Sequence, residues 1–179
     1  FLIARRFMYW QVYLHKTGLV AENILVKILI RAKELAESNV DLFCSSPLHF
    51  FLYNKIDKNN FDETVLEYFS KLDDYDILSA IKEWVNHSDK ILSNLSKMII
   101  NRNLLKIEMS NTQISNNYTS DIIENLLKDS NLTGEEAAYF VFSSEISNQA
   151  YNNNQSIRIV NKQGELSDIM EESDQLNFH

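Results

Sequence analysis

The sequence predicts a mainly α-helical protein with a small α+β part towards its C-terminus. Up to residue 101, apolar residues recur at the three- and four-residue spacing of amphipathic helices. After residue 102 this spacing gives way to short alternating or β-branched segments between polar turns. We therefore predict a helical region over 1–101 and an α+β accessory subdomain over 102–179, the latter a small antiparallel sheet with a covering helix.

The first segment, residues 2–38, has the pattern of one helix, about 50 Å long if unbroken. A buried stripe with four- and three-residue spacing predicts its inner face. Gly18 inside it predicts a bend or a close helix contact. The polar run 38–41 ends it. The predicted stripe consists of Ala21, Leu25, Ile28, Ala32 and Leu35.

Further helices before residue 102 are predicted from residues that start helices well. Each such residue is followed by apolar positions on one face. The predicted starts are Ser46 with Pro47 for a helix over 48–54, Asp62 for one ending at Lys71, Asp73 to Asp76 for one carrying Ile77, Ile81, Trp84 and Val85, and Ser88 or Asp89 for one through Ile99.

The second part mixes strand and helix patterns. Segments 104–110, 139–142, 156–160 and 165–169 have strand character. A helix is predicted over 119–127, with Thr119 or Ser120 as its N-cap. Thr133 and Glu136 have the spacing of a capping box.

Composition excludes several classes of protein. The 179 residues carry a net charge of −8, which argues against a general nucleic-acid-binding surface. No apolar run reaches the roughly 18–20 residues that a membrane span needs. Cys44 is the only cysteine, which fits a reducing cytoplasm. Because the sequence begins at Phe1 without an initiator Met, we expect it to start inside a longer gene product.

The charge is distributed unevenly along the chain. Residues 1–33 hold six basic side chains and one acidic one, a sum of +5, which leaves the remainder at −13. One interpretation is that the first helix is basic where it meets acidic neighbours. The other is a local anion-binding site in an otherwise acidic protein.

The candidate site lies in the first helix. At 100° per residue, Arg5, Tyr9, Tyr13 and Lys16 fall within an arc of about 80°. Two cations and two phenolic hydroxyls on one strip can bind a phosphate. Periodicity alone favours the other interpretation, in which Tyr9, Trp10 and Tyr13 are core aromatics while Arg5 and Lys16 extend into solvent.

Other catalytic constellations are missing from the sequence. The four histidines do not form a metal-ligating pair, and the three glycines are too far apart for a phosphate loop. No Ser or Cys nucleophile motif occurs. We therefore expect no catalytic residue and no metal ligand set in this chain.

The pattern Arg5-x-x-x-Tyr9-x-x-x-Tyr13-x-His15-Lys16 resembles the substrate-site helix of HD-domain phosphohydrolases of the deoxynucleoside triphosphate triphosphohydrolase type. In that family the Arg contacts phosphate, the Tyr equivalent to Tyr13 packs by the sugar, and the His-Lys pair lines the nucleotide pocket. Tyr9 stands where the family commonly has a His, and Leu14 where it commonly has a Gln. Segments 4–17, 144–151 and 164–174 resemble blocks of the bacterial branch.

This resemblance implies a helical bundle of the HD-domain type and a metal-dependent phosphohydrolase acting on (deoxy)nucleoside triphosphates or related esters. The divalent metal and its His and Asp ligands are then expected upstream, in the full-length protein. This chain would be the C-terminal part that binds substrate through Arg5, Tyr9, Tyr13, His15 and Lys16. A homo-oligomer with nucleotide as its partner is expected. The alternative is a non-enzymatic helical module for oligomerisation or interaction.

Overall fold

The computed structural model describes residue 4 and residues 7–110, 112–130, 132–144, 158–160 and 164–168; the side chains of Trp10, Tyr13, Asp129 and Asp168 are not described. Several predictions concern residues outside this set. They are the role of Arg5, the loop 152–155, most of the block 144–151 and the end of the chain. Mainly helical structure with a small antiparallel sheet near the C-terminus confirms the predicted fold class.

The described chain has one π-helical segment, seven α-helices and two strands. The π-helical segment is Tyr9–Tyr13. The α-helices are α1 Lys16–Glu37, α2 Ser46–Tyr53, α3 Glu63–Lys71, α4 Asp74–Trp84, α5 Lys90–Ile100, α6 Asn116–Asp129 and α7 Gly134–Ala137. Strands β1 (Arg158–Val160) and β2 (Leu166–Asp168) pair antiparallel, with Ile159 opposite Ser167. Of the helices described, none is long and apolar enough to cross a membrane.

The described residues form two compact units. One comprises 1–19 with 144–179, and the other comprises 20–143. The first contains the π-helical segment and the β1–β2 hairpin, and the second contains most of α1 and all later helices. The boundary predicted at residue 102 does not coincide with this division and stays a prediction about domain organisation.

The core of the 20–143 unit forms along α1. Its buried face is Val20, Ile24, Ile28, Ala32 and Ala36, each four residues after the last. Leu25 and Leu35, members of the predicted stripe, flank this row and are partly buried. The row packs with Ile81, Trp84, Ile91, Leu92 and Leu95 from α4 and α5.

Short-range caps agree with the sequence in several places. Asp62 and Asp89 accept hydrogen bonds from the backbone N–H three residues on, at 2.9 and 2.8 Å. Asp73 and Thr133 form the reciprocal capping boxes with Asp76 and Glu136. Two caps were assigned wrongly: Ser45, not Ser46, caps α2, and Ser115, not Thr119 or Ser120, caps α6.

The predicted single helix over 2–38 is interrupted within the described residues, at Leu14 and His15 and not at Gly18. The Leu14 N–H donates to the Tyr9 carbonyl at 2.8 Å, a five-residue step, and the His15 N–H donates to the Val12 carbonyl at 3.3 Å. This wider π-type turn is followed by a break at Leu14 and His15, and α1 starts anew at Lys16.

Two predicted strands were also wrong. Residues 103–110 have no regular structure, and Leu104, Leu105 and Ile107 pack on the core instead of pairing with another strand. Residues 139–142 form a turn after α7, in which the Phe140 N–H donates to the Ala137 carbonyl at 2.9 Å. Apolar side chains of both segments pack against the helical core without forming a strand. A short apolar segment has the same sequence pattern in either case, so hydrophobicity alone did not distinguish the two.

Candidate functional site

The predicted site residues lie around the start of α1. Tyr9 is partly buried in the π-helical segment, and the backbone of Tyr13 ends that segment. His15 and Lys16 are exposed at the break before α1 and at its first position. Arg5 and the Tyr13 side chain lie outside the described part, so the shared strip of these residues stays a prediction. The 100° spacing on which it was based does not hold across the π-type turn.

His15 is built into the start of α1. Its carbonyl accepts the first α-helical hydrogen bond, from the Leu19 N–H at 3.1 Å. Its Nδ1 accepts a hydrogen bond from the Thr17 N–H at 3.3 Å. This places His15 as an N-cap, satisfying N–H groups that the first helical turn leaves without partners. The bond requires an unprotonated Nδ1, so the remaining ring proton of a neutral His15 is on Nε2.

The start of α1 concentrates positive charge. The aligned peptide dipoles of this 22-residue helix place about half a positive charge at its N-terminus. No acidic residue occupies the first turn, and Lys16 is its first residue. The positive charge of Lys16 opposes the helix dipole and lowers the stability of the helix. An anion bound at this end of α1 is favoured by both the helix dipole and the charge of Lys16.

The other cations of α1 are engaged within the protein. Arg31 Nη2 and Nε donate to the two Asp89 carboxylate oxygens at 2.6 and 3.2 Å, and its Nη1 donates to Glu34 at 3.0 Å. Lys33 Nζ donates to the Phe51, Leu52 and Asn54 carbonyls at the end of α2. The Arg31 contacts support the interpretation that α1 is basic where it meets acidic neighbours, for this part of the helix.

Aromatic rings pack beside these cations. Lys27 Nζ lies 5.5 Å from the centre of the Tyr139 ring and 5.0 Å from that of Phe142. Burial, with the hydrogen bond and negative charge of Glu34, raises the pKa of Tyr139 to about 12. This cluster holds α1 against the segment that contains Tyr139 and Phe142.

The Arg31–Asp89 pair was missed by sequence reasoning. Its residues are 58 positions apart, and the N-cap role of Asp89 fully accounted for that residue in the sequence. Burial alone would raise the pKa of Asp89, but hydrogen bonds from Arg31 and the Leu92 N–H, with the Arg31 charge, lower it overall. In the described part of the chain, no three His, Cys, Asp or Glu side chains come together as a metal site would require.

The structure of this chain is similar to part of a protein named as a phosphohydrolase. The crystal structure of a phosphohydrolase (BT4208) from Bacteroides thetaiotaomicron is similar with a TM-score of 0.84 and 46% sequence identity, over 98% of this chain and 44% of that one. The protein YwfO of Bacillus subtilis is 38% identical over 106 residues, which are 59% of this chain and 23% of YwfO. No family model matches the sequence. The chain thus spans less than half the length of both relatives.

Proposed function

We propose that this chain acts as part of a phosphohydrolase whose substrates are (deoxy)nucleoside triphosphates or related phosphate esters. The observation that carries the proposal is its similarity, at 46% identity over nearly its whole length, to a structure named as a phosphohydrolase. The substrate class and membership of the HD-domain group come from the resemblance of the Arg5 to Lys16 pattern. We place the protein in the cytoplasm.

The start of α1 is the proposed phosphate-binding element. The charge of Lys16 and the helix dipole act on the same point, and both favour an anion. Arg5 would add a two-pronged contact to phosphate oxygens, and Tyr13 would pack by the sugar. Tyr9 would offer a hydroxyl to the phosphates, and His15 would line the pocket while capping α1.

A divalent metal is proposed for the full-length protein, in line with the resemblance. The described residues do not offer a group of donors that fits one, so we derive no step of the reaction through a metal. The role proposed for this chain is substrate binding, with nucleotide as the partner and without nucleic acid or membrane.

Hydrolysis by the product of the complete reading frame tests the proposal, with nucleoside, tripolyphosphate and phosphate products separated by chromatography so that cleavage at either end of the triphosphate is detected. With Mg²⁺ or Mn²⁺ supplied, we expect hydrolysis of at least one deoxynucleoside triphosphate in a panel of all common nucleotides. Arg5→Ala should weaken nucleotide binding by about tenfold or more, because an arginine–phosphate contact is charge-assisted. Arg6→Ala is the matched control, since it removes the same charge at the neighbouring position of the sequence.

Two outcomes would contradict the proposal in different ways. If the folded protein, supplied with metal, hydrolyses neither any nucleotide nor simple phosphate esters, the proposed phosphohydrolase function is wrong. Activity that Arg5→Ala and Arg6→Ala reduce equally would retain the function but remove the specific role of Arg5.

A non-enzymatic assembly role has one structural observation in its favour. Val26 and Ile30, four residues apart on α1, are 50% and 44% exposed, and Leu66 and Phe69 on α3 are 54% and 59% exposed. Apolar faces of this kind suit contacts between subunits. Light scattering of the chain with Ile30→Lys distinguishes the two. The assembly role is favoured if Ile30→Lys dissociates the oligomer and the parent protein has no hydrolase activity. It is contradicted if Ile30→Lys leaves both the hydrolase activity and the homo-oligomer unchanged.

A further inference from the structure

A cleft of about 500 Å³ opens in the 20–143 unit. Its walls are apolar. Met98 from α5 and Leu105 from the following segment form one side, Ile122 and Leu126 of α6 form another, and Phe140 contributes from the turn after α7. The volume lies in the range of small-molecule sites, which are mostly apolar with a few polar groups that fix orientation.

The polar groups of the cleft lie along one edge. Asn94 and Lys97 of α5 and its C-cap Asn101 are spaced three and four residues apart, so they share one face of that helix with Met98. Asn103 joins them from just beyond the helix. Amide side chains both donate and accept hydrogen bonds, and Lys97 is the only charged group among the described lining residues.

The end of α5 fixes this edge in place. Arg102 has a φ of 55°, in the left-handed region. Its N–H donates to the Ile99 carbonyl at 3.2 Å, and the Asn103 N–H donates to the Met98 carbonyl at 3.0 Å. These two bonds define a Schellman motif, which turns the chain back and places Asn101 and Asn103 on either side of the turn at the cleft.

We propose that this cleft binds a small amphipathic anion, an organic acid whose apolar body fills the cleft and whose carboxylate meets Lys97. The apolar walls exclude a purely polar ligand, because burial without matching hydrogen bonds is unfavourable. The single lysine, with no lining carboxylate beside it, selects a negative head group in a protein whose net charge is −8. The amides of Asn94, Asn101 and Asn103 donate further hydrogen bonds to that head group.

Straight-chain carboxylates are suitable probes because body length and head-group charge vary independently. Binding of hexanoate, octanoate and 1-octanol to the whole chain is measured by ligand-detected NMR below micelle-forming concentrations. We expect saturable octanoate binding, about 15-fold tighter than hexanoate, since each buried methylene is worth about fourfold. Octanol should bind more weakly than octanoate.

Lys97→Gln and Lys128→Gln form a matched pair for the head-group contact. Both lysines are exposed and lie in the last turn of their helices, but only Lys97 lines the cleft. Lys97→Gln should weaken octanoate about threefold and leave octanol unchanged, because an exposed ion pair contributes modestly. Lys128→Gln should change neither.

A filled cleft provides the second variant. Ile122 is 39% exposed on the wall, so Ile122→Trp can occupy the cleft with little change to the core. It should abolish octanoate binding while the melting temperature stays close to that of the parent. The proposal is overturned if octanoate does not bind saturably, if Ile122→Trp binds it as well as the parent does, or if Lys97→Gln and Lys128→Gln weaken it equally.

Discussion

Reversing the charge of Lys16 should make the protein more stable and its nucleotide binding weaker. Lys16 is the first residue of α1, a 22-residue helix without an acidic residue in its first turn. A cation here opposes the helix dipole, and an anion is favoured, each by about 0.3–1 kcal/mol at an exposed site. Lys16→Glu removes the first effect and adds the second, so we expect a gain of about 0.6–2 kcal/mol in the free energy of unfolding.

The same change should lower nucleotide affinity by about tenfold or more. It removes a charge-assisted phosphate contact and places a carboxylate beside the phosphates. The stability gain is measured by urea unfolding followed by circular dichroism, and corresponds to about 1–8 °C in Tm for a chain of this size. Affinity is measured by calorimetric titration with a deoxynucleoside triphosphate. Both differences should shrink as salt is raised, since the groups are exposed.

Two controls define the interpretation. Lys16→Gln should lie between the parent and Lys16→Glu in both measurements. Lys128→Glu makes the same charge change in the last turn of α6, where a lysine is favourable, so it should lower stability and leave affinity unchanged. If Lys16→Glu destabilises the protein and binds nucleotide as the parent does, Lys16 has a structural role and the phosphate site lies elsewhere.

Two further predictions concern stability. Arg102→Gly should raise the free energy of unfolding by about 0.5–1 kcal/mol in urea titrations, because a φ of 55° strains a side chain and suits glycine; a loss would show that the Arg102 side chain stabilises this turn. Asp89→Asn keeps an N-cap but weakens the contact with Arg31, and should cost about 1–2 kcal/mol at pH 7. Because folding lowers the pKa of Asp89, the stability it adds is present above its unfolded pKa of about 3.9 and is lost as pH falls through the lower folded value. The difference in free energy of unfolding between the parent and Asp89→Asn should therefore be smaller at about pH 2 than at pH 7. An equal difference at the two pH values would contradict the link between Asp89 ionisation and stability.

Features with short sequence separation were predicted well. The caps at Asp62, Asp73 and Asp89 involve partners two or three residues away, so the local sequence contains the whole interaction. The two paired strands near the C-terminus lie within segments 156–160 and 165–169, whose strand character was recognised from the local sequence. These predictions needed no knowledge of the rest of the chain.

Features that depend on distant partners were predicted poorly. A strand forms only beside another strand, and the apolar residues of 103–110 met a helical core instead. The wheel-based strip of Arg5, Tyr9, Tyr13 and Lys16 assumed uniform helical spacing, which the π-type turn at Tyr9–Tyr13 does not keep. No local sequence pattern indicates that the helical turn at Tyr9–Tyr13 is a π-type turn, which holds one residue more than an α-helical turn.

The sequence by itself determined the helical class, most helix starts and the pattern from Arg5 to Lys16 that suggested a phosphate site. Tertiary structure decided which cations remain available to a ligand, because Arg31 and Lys33 are held by groups brought together only on folding. It also decided where α1 begins, and so placed Lys16 at the positive end of its dipole. The cleft beside Lys97 likewise exists only where α5, α6 and the turn after α7 meet.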